Sequence, residues 1–470
     1  IIGGAEDLVR RTSLEVAYRR RAFDETRAEH VVPQIRLRLR HTTDRVAPRH
    51  LAVAESGDLR AINPGTGGEL IEGVFELAEG CLIAVFHKAA DLHERSRLFA
   101  RGIHEDRFDG GAADVQADGR MQASQRALGH ALDLQFLQPA GYTSMQIGKW
   151  HLGLESPNTP NERGFDLFHG FLGDMMDSYT THLRQGHNYM RRNAEVIDPK
   201  GHATDIFAGW AADYFRERAK EKQPFFLYLA FNAPHFPIEP PEEWVAKVKA
   251  RAPQLDEKRA MNVALVEHLD DRIGQLLAVL KEAGLDQNTV VAFGSDNGGS
   301  LPHAQNNDPW RDGKTSHYDG GLRVPFMVRW PGHIKAGSHS DYAGLNFDLF
   351  PTFLELAGAK ASPDIDAISL VPIFNGGTIE TPRDLYFVRR EGGAAYGGKS
   401  YEALIRGDWK LMQNTPYSPL ELYNLKNDPL EKTNLIGKAP KVFKELSAAL
   451  RTHVQTGGAT PWQKPETREP

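Results

Sequence analysis

From Gly141 onward the sequence predicts an α/β fold, a layered sheet flanked by helices. Near-continuous apolar runs of strand length alternate along the chain with longer stretches whose apolar residues recur every three or four positions. That alternation favours an α/β arrangement over an all-helical or all-β one. A change of texture near residue 380 adds a small C-terminal α+β subdomain.

The elements follow in order. Tyr142 to Ile147 is a short strand, followed by a Gly-Lys-Trp-His turn. Asp205 to Ala219 reads as a helix with Ile206, Trp210, Ala211 and Phe215 on one stripe. Pro224 to Phe231 is apolar almost throughout, as expected of a strand covered on both faces. Met261, Leu265, Leu269, Ile273, Leu276 and Leu280 mark a helix that Gly284 terminates. Thr289 to Phe293 and Arg323 to Trp330 are further strands, and Phe347 to Leu356 is helical. After the Gly376-Gly377 break, Ala403 to Met412 forms a hairpin about Arg406-Gly407-Asp408, and Phe443 to Val454 a closing helix. The expected units are therefore 139–380 and 381–455, with 456–470 a polar, Pro-bearing, loosely ordered tail.

Composition narrows the function. The 470 residues carry 56 basic and 62 acidic side chains, a formal charge of −6, which argues against a dedicated nucleic-acid binder. One cysteine, Cys81, excludes an intrachain disulfide and a multi-thiolate zinc site. The longest uninterrupted apolar run is Phe225 to Phe231, too short for a membrane span. No basic, apolar, small-residue series of a signal peptide opens the sequence.

Residues 1–138 differ from the rest. They hold 18 Arg and 1 Lys, against 18 Arg and 19 Lys afterwards, and all seven Trp follow the seam at Gln138. Ile35 to Arg40 alternates apolar and basic residues like a strand, and Glu69 to Phe86 has a usable pattern; little else does. Two readings stand: an independent Arg-rich or poorly ordered arm, and a frame-shifted or misjoined translation of a GC-rich gene.

Four polar clusters sit beside apolar strands, three of them just past a strand's end, where ligands bind in open α/β sheets. Gly148-Lys149-Trp150-His151 places a cation near an imidazole; its alternative is an exposed turn. Asn232-Ala233-Pro234-His235-Phe236-Pro237 brackets His235 with two prolines that restrict its backbone; the alternative is a structural histidine. Ser295-Asp296-Asn297-Gly298-Gly299 offers hard oxygen ligands for Ca²⁺ or Mg²⁺, or is a common loop turn. Asp312-Gly313-Lys314, followed by Asp319-Gly320-Gly321-Leu322-Arg323-Val324-Pro325, adds a second lysine, which is otherwise a surface lysine in a Gly-rich loop. Together they supply what an enzyme gathers around a tetrahedral oxyanion ester. Fixed cations neutralise charge on its oxygens, and losing one such contact costs roughly 3 to 4 kcal/mol of transition-state stabilisation. An imidazole can protonate the departing oxygen.

The stretch Gly141-Tyr142-Thr143-Ser144-Met145-Gln146-Ile147-Gly148-Lys149-Trp150-His151-Leu152-Gly153 resembles the second consensus of the sulfatases. The Asn-Ala-Pro-His, Ser-Asp-Asn-Gly and Gly-Lys segments follow in that family's order. Leu420-Glu421-Leu422-Tyr423-Asn424-Leu425 with Asn427-Asp428-Pro429 resembles its C-terminal subdomain. The resemblance covers about residues 139 to 455 and implies an alkaline-phosphatase-like fold and hydrolysis of a small-molecule or glycan sulfate ester. It implies that Lys149 and Lys314 hold sulfate oxygens, that His235 contacts the ester and aids departure of the leaving group, and that His151 supports the nucleophile. Asp296 and Asn297 would be two ligands to Ca²⁺. Asp319 stands where a Glu is more usual.

The family's nucleophile is a formylglycine made from the Cys or Ser of a Cys/Ser-x-Pro-Ser-Arg motif, and no such motif occurs. Cys81 is followed by Leu82-Ile83-Ala84-Val85. The family's paired N-terminal aspartates are absent too, and Asp270-Asp271 reads as a solvated helix face. The expectation is an arylsulfatase-like hydrolase impaired as written. Its alternatives are a phosphodiester or phosphonate ester hydrolase of the same superfamily, and a non-catalytic remnant or binding protein. The family implies a periplasmic or secreted location, and the sequence carries no signal for oligomeric state.

Overall fold

The computed structural model describes residues 36–37, 81–88, 137–221, 223–359, 365–390 and 399–458. Its strands are β1 (Arg36–Leu37), β2 (Cys81–His87), β3 (Thr143–Lys149), β4 (Leu167–Phe171), β5 (Leu183–Arg184), β6 (His187–Asn188), β7 (Met190–Arg192), β8 (Glu195–Val196), β9 (Phe225–Phe231), β10 (Thr289–Ser295), β11 (Arg323–Val324), β12 (Phe326–Arg329), β13 (Asp384–Arg390), β14 (Ser400–Arg406), β15 (Trp409–Met412) and β16 (Glu421–Asn424). Its helices are α1 (Ala203–Arg218), α2 (Glu242–Arg251), α3 (Glu257–Glu282), α4 (Asp319–Leu322), α5 (Leu349–Leu356), α6 (Val371–Phe374) and α7 (Pro440–Gly458). The strand expected over Arg323 to Trp330 is broken in two at Pro325, which has no N–H to give a ladder.

The main sheet has eight strands in the order β12-β10-β2-β9-β3-β4-β7-β8. Strands β10, β9, β3 and β4 run one way, and β2 runs against both of its neighbours. Apolar residues alternate across β9 because both faces are covered. Phe225, Leu227, Leu229 and Phe231 pack with α1 and α3, while Phe226 packs with α5 and α6 on the other side. The α3 pattern read from Met261 to Leu280 is real and longer. Asp256 caps its start by accepting from Arg259 N at 2.9 Å. At its end Gly284 adopts φ 71° and Leu285 N donates to Leu280 O at 3.0 Å.

The C-terminal sheet, order β13-β14-β15-β16, is antiparallel throughout. One face packs on Tyr318, Leu322, Leu345 and Phe347, the other on α7 through Leu446 and Leu450. The helix runs to Gly458, so the first residues of the expected tail are its last turn, and 459–470 lie outside the described residues.

Little of the Arg-rich segment is described. The alternation at Ile35 to Arg40 is described at Arg36–Leu37 alone, which pair in parallel with Arg323–Val324. Of Glu69 to Phe86 the described part starts at Cys81, where β2 enters the middle of the main sheet. The rest of the expectations for residues 1–138 lie outside the described residues. Among the described residues no helix is long and apolar enough to cross a membrane.

Candidate active site

Register brings the clusters to one edge. Ser295 pairs with Cys81, Cys81 with Phe231, and Gly148 with Ala230. The loops after β10, β9 and β3 and the start of β2 therefore share one end of the sheet, on strands about 4.8 Å apart.

Lys149 is the last residue of β3 and is half-buried. Glycine is required before it: a Cβ on Gly148 would stand 1.9 Å from Ala230 O, at φ 96°. His151 follows in a left-handed conformation, φ 56°, with its N–H donated to Leu172 O at 3.2 Å. Trp150 between them is buried and donates Nε1–H to Asn158 O at 2.8 Å.

His235 sits on the neighbouring strand's loop. Its N–H donates to Asn232 O at 2.8 Å, and its carbonyl accepts from the Tyr179 hydroxyl at 2.9 Å. Burial first, and the Lys149 ammonium second, push the imidazole down to about 3, against the opposing pull of Phe236 O and Asp174. The ring is therefore neutral at pH 7. Its Nδ1 lies 2.6 Å from Phe236 O, so Nδ1 carries the proton and Nε2 the lone pair. Phe236 stacks on His303 at 4.8 Å between centroids, joining this loop to the one after β10.

The third and fourth clusters are nested. Gly298 N donates to Gly321 O at 3.0 Å and Lys314 N to Gly299 O at 2.9 Å. A Cβ on Gly298 would lie 1.8 Å from Gly320 O. Asn307 clasps both sides, accepting from Gly299 N at 2.6 Å and donating to Gly299 O and Asp312 O at 2.9 and 3.1 Å. Asp296 and Asn297 are half-buried, and the Asn297 Oδ1 is buried with no hydrogen-bond partner.

Asp319 turns inward. Its carboxylate, wholly buried, meets Arg323 Nε and, at 3.0 Å, Lys410 Nζ; Lys410 also reaches Glu431 at 2.6 Å. Desolvation and the nearby Asp319 raise the Glu431 carboxyl, while Lys410 pulls it back. The carboxylate remarked on in the sequence thus ties the Gly-rich loop to the C-terminal sheet.

Cys81 is buried at the same edge. Burial, then the Asp296 and Asp270 carboxylates, push its thiol well above the ordinary range, which is the reverse of an activated nucleophile. Asp270 and Asp271 are not a solvated face. Both are half-buried, and Asp271 accepts from Arg272 at 2.6 Å and from the exposed Gln275 at 2.7 Å, so the pair lies at the boundary between packed and solvated helix surface.

Behind the His235 loop, His202, Asp205 and His268 bring donor atoms within 4.8 Å of one another. Most of their polar atoms are engaged, but the buried Nδ1 of His268 has no hydrogen-bond partner. His202 caps α1 by accepting from Thr204 N at 3.2 Å and gives its other nitrogen to Glu239 O at 2.9 Å. Asp205 bonds His268 at 2.7 Å and Arg272 at 2.6 Å, which outweigh burial and hold its carboxyl at about 2. The trio is a hydrogen-bonded strut in which one buried nitrogen, His268 Nδ1, is left open.

The family model described as Sulfatase matches residues 111–359, just over half of the chain and starting ahead of the seam. The chain belongs to the sulfatase family. A second sulfatase-related model, N-sulphoglucosamine sulphohydrolase, C-terminal, matches residues 309–457. The N-acetylgalactosamine-6-sulfatase of Rattus norvegicus is 30% identical over 293 residues, covering 59% of this chain and 52% of the relative. A sulfatase of Formosa agariphila is 32% identical over 260 residues, 51% of this chain and 47% of the relative. The chain thus spans about half the length of the curated relatives it matches. The crystal structure of Ps i-CgsB in complex with k-i-k-neocarrahexaose superposes with a TM-score of 0.61 at 28% identity, over 70% of this chain and 74% of that one. The fold is that of the sulfatases, alkaline-phosphatase-like.

Several residues at this candidate site were not singled out in the sequence. Asn232 is buried with neither amide atom hydrogen-bonded, and His303 packs on Phe236. Asp174, which acts on His235, is held by a fork from Arg184 at 2.9 and 2.7 Å. Asn232 stood inside a quoted motif and could have been marked; the others depend on contacts between distant loops.

Proposed function

We propose that the edge formed by Lys149, His151, His235, Asp296, Asn297 and Lys314 binds a sulfate ester, with an arylsulfatase-like hydrolysis that is strongly impaired in this chain. The observation that carries the reading is the shared edge: Lys149 ends β3, His235 stands on the loop after the adjacent β9, and the backbone of Lys314 is held against Gly299 beside Asp296 and Asn297. Two ammonium groups would take sulfuryl oxygens, a task that suits compact point charges. The neutral His235 offers Nε2 as an acceptor. To give a proton to a leaving oxygen it must first gain one, and a bound anion favours that by offsetting Lys149. His151 follows Lys149 and would face the attacking group.

The donors at Asp296 and Asn297 fit a hard cation. Both are oxygen ligands, and the buried, unpartnered Asn297 Oδ1 supports the assignment. Ca²⁺ there would add positive charge near the sulfuryl oxygens. Formylglycine does not fit. The sequence holds no Cys/Ser-x-Pro-Ser-Arg stretch, and Cys81 is buried with a raised thiol.

Sulfate release from 4-nitrophenyl sulfate with added calcium tests the reading, with 4-nitrophenyl phosphate and a phosphodiester alongside. The expected outcome is slow, sulfate-selective turnover that Lys149→Ala lowers a further 10²–10³-fold, about 3 to 4 kcal/mol. Turnover of the phosphate esters in preference to sulfate would reassign the ester. No turnover, with Lys149→Ala also without effect on sulfate binding, would leave a non-catalytic remnant.

A further inference from the structure

His202, Asp205 and His268 take no part in the proposed sulfate edge, yet two imidazoles and a carboxylate are the makings of a ligand set. They stand at the start of α1 and on α3, with donor atoms within 4.8 Å of one another. Both rings are buried, while the Asp205 side chain keeps 40% of its surface in water.

The hydrogen bonds decide which nitrogens can serve. His202 Nε2 lies 2.9 Å from Glu239 O and so carries the proton, which leaves Nδ1 as the lone pair that accepts from Thr204 N at 3.2 Å. A ring whose far N–H is held by a carbonyl is oriented as metal-bound histidines are. His268 Nε2 meets the Asp205 carboxylate at 2.7 Å and carries a proton there. Its buried Nδ1 has no partner. In the neutral ring the proton can therefore stand on Nδ1 instead, at the cost of the Asp205 bond alone, and Nε2 becomes a donor to a cation. Asp205 is ionised, and the Arg272 that bonds it at 2.6 Å also bonds Asp271 at 2.6 Å. Two carboxylates against one guanidinium leave a net negative charge at the trio.

We propose that His202 Nδ1, the Asp205 carboxylate and His268 Nε2 bind a divalent cation of the zinc class, at a site separate from Asp296 and Asn297. Two imidazole nitrogens and one carboxylate oxygen suit zinc and its neighbours, where Ca²⁺ and Mg²⁺ take oxygen. A fourth position remains for water on the exposed side of Asp205. Donors around a tetrahedral ion stand roughly 3.3 Å apart, so the set closes by at most about 1.5 Å. The missing partner of His268 Nδ1 lowers affinity roughly 10–100-fold relative to a fully supported site. The ion would also pin the loop that carries His235. His202 stacks on Tyr179 at 5.0 Å between centroids, and the Tyr179 hydroxyl donates to His235 O at 2.9 Å. Further along that loop, Glu239 accepts from Tyr179 N at 2.8 Å and from His202 Nε2 at 2.9 Å.

Equilibrium dialysis of the full chain against Zn²⁺, with visible absorption of the Co²⁺-loaded protein, tests the site. The expected result is one zinc per chain at micromolar concentration and Co²⁺ bands of a four-coordinate, nitrogen-bearing site. Micromolar zinc should raise the melting temperature, and micromolar Ca²⁺ should not. His202→Asn keeps an acceptor for Thr204 N but removes the imidazole, and His268→Gln removes the other; each should weaken zinc binding at least about tenfold. His187→Ala, at an exposed histidine outside the trio, should leave it unchanged. The Co²⁺ bands are read on the unaltered chain, so they decide the matter even where a variant fails to fold. No zinc bound, zinc binding that survives both trio substitutions, or Co²⁺ bands of an octahedral, all-oxygen ion overturns the proposal.

Discussion

Lys410 and Asp319 meet at 3.0 Å with both side chains fully buried, one on β15 and the other at the start of α4. The contact crosses from the C-terminal sheet to the loop that carries Lys314. Removing one partner of a buried pair leaves the other charge uncompensated. Lys410→Met is therefore expected to cost about 3–5 kcal/mol in urea unfolding. A paired Lys410→Met, Glu431→Gln variant should recover part of that loss, because Asp319 keeps Arg323 and no second carboxylate is left unpaired.

Gly298 tolerates no side chain, because its Cβ would meet Gly320 O at 1.8 Å. Gly298→Ala must push the two nested loops apart, at a cost of about 1–3 kcal/mol or more. Circular dichroism melting reads the loss. Gly209→Ala, at a position with open space around it, is the control and should leave the melting temperature unchanged or raised.

Acid should destabilise the fold through buried neutral histidines. Burial lowers His202 to about 4 and His317 to about 3, with His317 Nδ1 2.9 Å from Gln413 O. Between these values and the ordinary 6.5 the unfolded chain binds protons that the folded chain does not. Stability is thus fully present above about pH 6.5 and falls as pH drops toward 4, with His202 alone contributing up to about 3 kcal/mol. Urea midpoints at pH 7, 5.5 and 4.5 measure the slope. His202→Asn keeps an acceptor for Thr204 N and should flatten it.

Calcium should stabilise weakly. On the proposed assignment Asp296 and Asn297 would supply two oxygen ligands, where a tight site needs six or more. A rise in melting temperature is expected at millimolar calcium and not at micromolar, following RT ln(1 + [Ca²⁺]/Kd), and Asp296→Ala should abolish it. A rise at micromolar calcium would overturn the two-ligand assignment.

Much of this was legible in the sequence where the signal is local. The α3 stripe and the β9 run follow from side-chain periodicity and the structure places them as read, while Lys149, expected in the turn after a strand ending at Ile147, is that strand's last residue. What periodicity cannot carry is contact between loops. The neutral state of His235 depends on its burial first and on Lys149 one strand away second, and the inward turn of Asp319 depends on Lys410 and Arg323. Asp270 read as solvated because charge alternation says nothing about which layer covers a helix face.

The direction of β2 has a consequence for rebuilding the enzyme. The polypeptide enters the sheet with Cys81 at the edge that carries Lys149 and leaves at the opposite edge with His87, where His87 pairs with Phe225 and Thr289. A peptide grafted after His87 would emerge on the wrong side of the molecule, a full strand length from the lysines. Any attempt to restore turnover by inserting a nucleophile motif should splice it ahead of residue 81.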